Sequence, residues 1–318
     1  MNKVNTYLII YLNYGARPVM KTKQLDPLVA TLIKNKRTLL CDGAKVTMRE
    51  QCRMHPTNAV TWQAALILEG KRSIITRSQT KLDKASGQQW INRGLTLSPA
   101  NEASPYFKAT FNHCPFASPG CIPNCVGSKT GQGTLPSSEI ARIGRTLAMH
   151  YDFARFFQLL RLEIERELAR CKKLGTLAFR TNVASDNTAL ADELCKLYDF
   201  SHRIIFYDYT VVPKALGTWD RSGVMQSGWS KKPFVYRVYS RKENNHDKCL
   251  DVLASGHGVA VVFADGIPPT WNGYPVIDGD VNDLWFTRAP RTGGFVVGLK
   301  VKGSNKQKQD CIASGFAV

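Results

Sequence analysis

The chain has 318 residues, 43% of them hydrophobic and six of them tryptophan, enough to bury a substantial core in one large domain or two smaller ones. Its 43 Lys and Arg against 25 Asp and Glu give a net charge of +18, a field that attracts phosphates and other anions without choosing among them. No apolar run reaches the roughly 18 to 20 residues of a membrane helix, so no membrane partner is expected. The text holds no P-loop, GxSxG elbow, HExxH, helix-turn-helix, zinc-finger or RNA-recognition motif.

Residues 1–94 read as a basic N-terminal region of unclear fold, in which KTKQ, IKNKR, GKRS and TRSQTKLDK are dispersed among polar residues. The opening MNKVNTYLIIYLNYGARP has a short apolar stretch but no small-residue cleavage site, which makes it a weak signal peptide. Within this region PTNAVTWQAALILEG (56–70) predicts a short helix and KRSIITRS (71–78) a strand. Nine cysteines, an odd number without regular pairing, fit a reducing compartment and hence a cytoplasmic location.

Three of those cysteines, Cys114, Cys121 and Cys125, lie in the segment HCPFASPGCIPNC. Loops rich in Pro, Gly and small residues can bring separated sulfurs to one centre without unwinding a helix or strand. Three thiolates at a cubane cluster leave one iron open, whereas structural zinc needs a fourth protein ligand, such as His113 or a remote Cys. The expectation is an iron–sulfur cluster of the 4Fe-4S type, with zinc as the alternative. Unliganded buried thiols and a disulfide are the bland readings of the same residues.

Beyond this loop the chain predicts one long helix from Ser137 or Ser138, as caps, through SSEIARIGRTLAMHYDFARFFQLLRLEIERELARCKK. Ile140, Ile143, Leu147, Tyr151, Ala154, Phe157, Leu160 and Ile164 recur at three- and four-residue steps, a stripe that reads as core. Strands follow at 176–180, 203–209, 234–240, 258–264 and 294–300, with helices at 187–198 and 244–255. This alternation predicts an α/β fold of parallel βα units, either a doubly wound sheet or a complete or partial β/α barrel with the cysteine-rich loop beside it, occupying 95–318.

Function is then expected on the loops leaving the carboxyl ends of the strands. Arg180, Lys300 and Lys302 would attract a phosphate-bearing ligand, and Asn182, Tyr207, Ser240 and Glu243 would contact it. Asp186, Asp208, Asp280 and Asp283 would move protons or hold a second metal. DGDVND lacks the terminal Glu of a calcium loop, and its Asp-Gly is also what a plain turn requires.

Taken together, CPFASPGCIPNC, IARIGRTLAMHYDFARFF, RTNVASD, FYDYT, VYSRKEN, VAVVFADGIP, VIDGDVNDLWF and GLKVKGSN, in this order, make residues 95–318 resemble a phage protein family named after mycobacteriophage gene product eighty-eight. The resemblance implies a phage, prophage or mobile-element origin, action in the host cell, and a barrel-like α/β body with a cysteine loop in front. It brings no activity with it. A three-cysteine cluster at the mouth of a parallel barrel is also the arrangement of radical S-adenosylmethionine enzymes, but the spacing here is not theirs.

Two functions from different classes remain. One is an iron–sulfur protein with a polar pocket for a phosphate-bearing ligand; the other is a non-catalytic nucleic-acid-binding or host-takeover protein with a structural metal. A third, a zinc-stabilised nuclease or hydrolase using the aspartate loops, rests on Asp280 and Asp283 alone.

Overall fold

In the computed structural model, residues 23–77, 82, 89–171, 175–198, 203–216, 235–290 and 292–318 are described. The opening apolar stretch and most of TRSQTKLDK lie outside them. Three helices come first: α1 (Pro27–Cys41), α2 (Met48–Arg53) and α3 (Pro56–Leu68). Asp26 caps α1 through the Leu28 amide at 2.8 Å, and Thr47 with Glu50 forms a capping box on α2. Pro56 opens α3, whose buried residues include Ala59, Val60, Ala64, Ile67 and Leu68, so this helix is an interior one.

A two-residue β1 (Ile75–Thr76) pairs antiparallel with β2 (Trp90–Leu95). The cysteine segment follows as a chain of turns and leads into α4 (Pro136–Tyr151) and α5 (Phe153–Cys171). The single long helix expected here is two helices. Asp152 leaves helical geometry, and its carboxylate accepts from the Arg155 amide at 3.0 Å, capping the second helix as it ends the first. At the other end Pro136 occupies the first helical turn, and neither Ser137 nor Ser138 serves as the cap.

The remaining units are β3 (Thr176–Arg180), α6 (Thr188–Cys195), β4 (Ile204–Thr210), β5 (Val235–Ser240), α7 (His246–Ala254), β6 (Gly258–Phe263), β7 (Thr270–Trp271), β8 (Tyr274–Asp278), β9 (Phe295–Lys300) and α8 (Asn305–Ala313). They join β1 and β2 in one nine-stranded sheet of order β1-β2-β3-β4-β5-β6-β9-β8-β7, parallel except at its two outermost pairs. The α/β class is therefore as expected. The order advances in one direction from β2 to β6 without the reversal of a doubly wound sheet, and among the described residues the two edges do not pair with each other. The sheet is open.

Alternation along the strands sorts side chains onto two faces. Leu177, Phe179, Ile204 and Phe206 join α3, α4 and α5 in the largest core. Tyr239, Val259, Val261 and Val296 pack under α7 through Cys249, Val252 and Leu253. The opposite face carries Ala178, Ile205, Tyr207, Val238, Phe295 and Val297, covered by Leu284, Trp285 and Phe286 from the segment after β8.

The boundary expected at residue 94 falls inside β2, whose backbone pairs with β3 from Trp90↔Thr176 to Gly94↔Arg180. Leu25, Ile33 and Ile67 share a core with Leu147 and Phe206. Glu163 on α5 accepts from the Ile74 and Ile75 amides at 2.9 and 3.1 Å, and buried Glu167 accepts from Arg77 and Arg93 at 2.8 and 2.9 Å. Residues on both sides of position 94 thus build one hydrophobic core, because β2 needs a parallel neighbour and the first helices need a face to cover.

Candidate functional site

A cavity of about 610 Å³ opens at the carboxyl ends of β3, β4, β5, β6 and β9. Cys114, Cys121 and Cys125 line one part of it. Arg180, Asp186, Ser240, Asp280, Lys300 and Lys302 also line it, so nine of the residues expected at the site meet in one place. Asn182, Tyr207, Asp208, Glu243 and Asp283 do not line the cavity; they hold what does.

The cysteine loop is fastened at two glycines. The carboxylate of Glu243, just after β5, accepts from the Ser118 hydroxyl at 2.7 Å and the Gly120 amide at 2.9 Å. A Cβ on Gly120 would stand 2.8 Å from that carboxylate, and one on Gly127 would stand 2.5 Å from the Ala184 methyl in the loop after β3. Only glycine permits both approaches. Glu243 is partly buried, which works to raise its carboxyl, but the Gly120 and Ser118 hydrogen bonds outweigh this and hold it below the usual carboxylate range. The far end of the loop is braced by buried Arg142 on α4, which donates to the Gly133 carbonyl at 2.6 Å and to both carboxylate oxygens of Glu102.

Behind the pocket lies a buried polar cluster. Asp283 is fully buried and accepts from Arg180 at 2.9 Å, from the Tyr207 hydroxyl at 3.0 Å and from the Tyr209 hydroxyl at 3.3 Å. The Tyr207 hydroxyl also lies 2.9 Å from the Asn92 side-chain amide, and the Arg180 guanidinium lies 4.6 Å over the Tyr209 ring. Burial works to strip the Arg180 proton, but Asp283 with Tyr209 and Tyr207 more than offsets it, and Arg180 stays charged. Asp283 is thus the counter-ion of Arg180.

Asp208 sits on the other face of β4. It accepts from the Thr181 hydroxyl at 2.7 Å, the Tyr209 amide at 2.9 Å and the Asn182 side chain, while Asn182 in turn takes the Ser185 hydroxyl and the Asn187 amide, each at 2.9 Å. Burial pushes Asp208 up to about 7, against the pull of Asn182, Arg180 and Thr181. This network shapes the turn after β3 that carries Asp186.

Asp280 pairs with Lys302 at 2.7 Å and accepts from the Lys300 amide at 2.8 Å. The Lys300 side chain is exposed on the pocket rim. Lys129, Arg241 and Lys242 add positive charge to the lining. Lys129, Lys242 and Cys311 on α8 carry no site signal in the sequence; Lys242 and Cys311 lie far from the cysteine loop along the chain and meet it only through the fold.

All nine cysteines are described and none is disulfide-bonded. Cys171, Cys195 and Cys249 are buried in the body, as small apolar residues, and Cys311 is buried at the cavity wall. Burial first, with Cys125 and Asp186 adding to it, raises the Cys114 thiol to about 12 and the Cys121 thiol to about 11. The three thiols and Asp186 are therefore electrostatic neighbours. Among the described residues no three His, Cys, Asp or Glu side chains stand as the ligands of a single ion. His113 does not face the pocket: its Nε2 meets His150 Nε2 at 3.2 Å, with Phe111 edge-on to both rings.

The Gene product 88 family model matches residues 73–318. The chain belongs to that family. The match starts earlier than the resemblance at 95, taking in β1 and β2, so the family's segment contains the whole nine-stranded sheet, the cysteine loop and every lining residue of the pocket, while α1 to α3 precede it. No curated protein and no solved structure matches the chain. Among the described residues no helix is long and apolar enough to cross a membrane.

Proposed function

We propose that this member of the Gene product 88 family is an iron–sulfur protein acting in the host cytoplasm, with a pocket that takes a phosphate-bearing ligand. The observation that carries the reading is the meeting of Cys114, Cys121 and Cys125, all from one loop, with Arg180, Lys300 and Lys302 around a single cavity at the strand ends. Strand ends of parallel sheets are where ligands of such folds bind. The one-directional advance of the strand order from β2 to β6 further supports reading that part of the sheet as an incomplete barrel beside this cavity.

Cys114, Cys121 and Cys125, all lining the cavity, are the thiolates such a cluster would take, and three sulfurs from one loop suit a cubane, which tolerates an open iron, better than a structural zinc, which needs a fourth protein ligand. Such a cluster supplies electron transfer or an open iron for a ligand. The protein supplies the rest: Glu243 and Gly127 hold the loop, Asp283 keeps Arg180 charged, and the exposed Lys300 meets the incoming anion.

The test is anaerobic reconstitution with iron and sulfide, followed by pyrophosphate binding. Iron bound by the wild type but not by a Cys114→Ser, Cys121→Ser, Cys125→Ser triple variant, with pyrophosphate affinity that falls in Lys300→Ala, supports the reading; no iron in the folded wild type ends it. Nucleic-acid binding is the second reading, favoured by Lys34, Lys45, Arg49 and Arg53, all exposed on and beside α1 and α2. It requires affinity for a DNA or RNA duplex that falls steeply with salt and is lost on charge reversal of those four residues.

A further inference from the structure

Three thiolates leave one corner of a cubane without a protein ligand. The pocket offers few groups to fill it. Glu243 is committed to Ser118 and Gly120, Asp280 to Lys302 and the Lys300 amide, and His113 to His150. Cys311 also lines the cavity, with Glu243 as its charged neighbour.

Asp186 differs from all of these. Its amide donates to the His113 carbonyl at 3.1 Å, which ties it to the residue immediately before Cys114. Its Oδ2 accepts from the Val211 amide at the end of β4 at 3.0 Å, and the Thr210 hydroxyl is a further hydrogen-bonding neighbour of the carboxylate. Its Oδ1 is buried and has no hydrogen-bond partner among the described residues. A buried, orphaned carboxylate oxygen costs free energy and calls for an explanation, of which a bound cation is one of the few that also removes the cost. Both Cys114 and Cys121 lie within reach of its charge.

We propose that Asp186 Oδ1 is the fourth protein ligand of the cluster, an oxygen donor beside three sulfurs. The inference rests on the iron–sulfur reading above. Bound there, Oδ1 would give a lone pair to the iron that no thiolate holds, any proton on the carboxyl leaving to solvent. A carboxylate is a harder and more readily displaced donor than a thiolate, so Asp186 marks the iron at which the phosphate-bearing ligand would exchange, next to the Lys300 and Arg180 charges.

The test uses the full chain reconstituted anaerobically with ferrous iron and sulfide, in the wild type, Asp186→Asn, Asp186→Cys and Cys311→Ser. Iron loss to a chelator and the electron paramagnetic resonance spectrum after dithionite reduction are read for each. Asp186→Asn is expected to lose its first iron at least about tenfold faster than the wild type, the scale seen when the surroundings of a metal are disturbed. Asp186→Cys should keep its iron and give an altered spectrum, which a merely structural aspartate would not produce. Wild-type kinetics and spectra in both Asp186 variants, or the tenfold loss appearing in Cys311→Ser instead, overturn the assignment while leaving the cluster standing. No iron in the wild type overturns both.

Discussion

Replacing Asp283 by Asn removes one negative charge and almost no volume, and the structure says where the cost falls. The Arg180 side chain is 12% exposed and that of Asp283 is 0% exposed, with 2.9 Å between Nη1 and Oδ2. Once the carboxylate is gone, Arg180 is a buried cation facing an amide that is as much donor as acceptor. Breaking a buried pair by removing one partner typically costs about 3 to 5 kcal/mol. Asn keeps one acceptor for Tyr207 or Tyr209, so the lower end, about 3 kcal/mol, is expected. For a chain of 318 residues that corresponds to a fall in Tm of roughly 4 to 5 °C. Urea unfolding and calorimetry of Asp283→Asn, Arg180→Met and the double variant measure it. The double variant should be more stable than Asp283→Asn alone, with a coupling of about 2 kcal/mol, because no unpaired charge is left inside. A loss below about 1 kcal/mol, or simple additivity, refutes the role of Asp283 as the counter-ion of Arg180.

Glu243→Gln keeps an acceptor but loses the charge that the Gly120 amide and Ser118 hydroxyl share; a loss of about 1 to 2 kcal/mol and faster hydrogen exchange across 114–125 are expected, and unchanged exchange would contradict the clamp. Burial first, then the neighbouring ring, lowers His113 to about 3, and burial lowers His150 to about 4, so both are neutral in the fold and protonated in the unfolded chain below their ordinary 6.5. Their stability contribution is therefore complete above pH 6.5 and lost as pH falls toward 4 and 3, at most about 3 to 5 kcal/mol for each ring. In melts from pH 7 to 4, His150→Gln should flatten the fall; an identical pH profile would count against it. Replacing Lys300 and Lys302 together by Ala should weaken pyrophosphate binding about tenfold, equal to about 1.4 kcal/mol, measured by titration calorimetry.

Much of the strand pattern was readable because parallel strands buried on both faces show as short runs of β-branched and aromatic residues, and all five expected from Thr176 onward are present. Helix α3 was readable for a related reason, as an uninterrupted apolar stretch opened by Pro56. β2 and β8 were not, since Trp90–Leu95 carries Asn92, Arg93 and Gly94, whose fitness for a strand depends on Glu167 and Tyr207 far away in sequence. The break at Asp152 shows the same limit: the apolar period runs through it, and only the cap hydrogen bond reveals two helices. At the site, the strand-end loops carry Arg180, Asp186, Ser240, Asp280, Lys300 and Lys302 to the same cavity as the cysteines. What a linear reading could not divide was lining from support, because Asp208 and Asp283 differ from Asp186 only in which face they occupy and whom they meet.

The most direct measurement is iron and acid-labile sulfide per chain in protein purified and reconstituted without oxygen, compared with the Cys114→Ser, Cys121→Ser, Cys125→Ser triple variant. The account predicts about four irons and four sulfides, with a brown chromophore, in the wild type and none in a triple variant that still folds. A folded, colourless wild type without iron, or equal iron in both proteins, would contradict it.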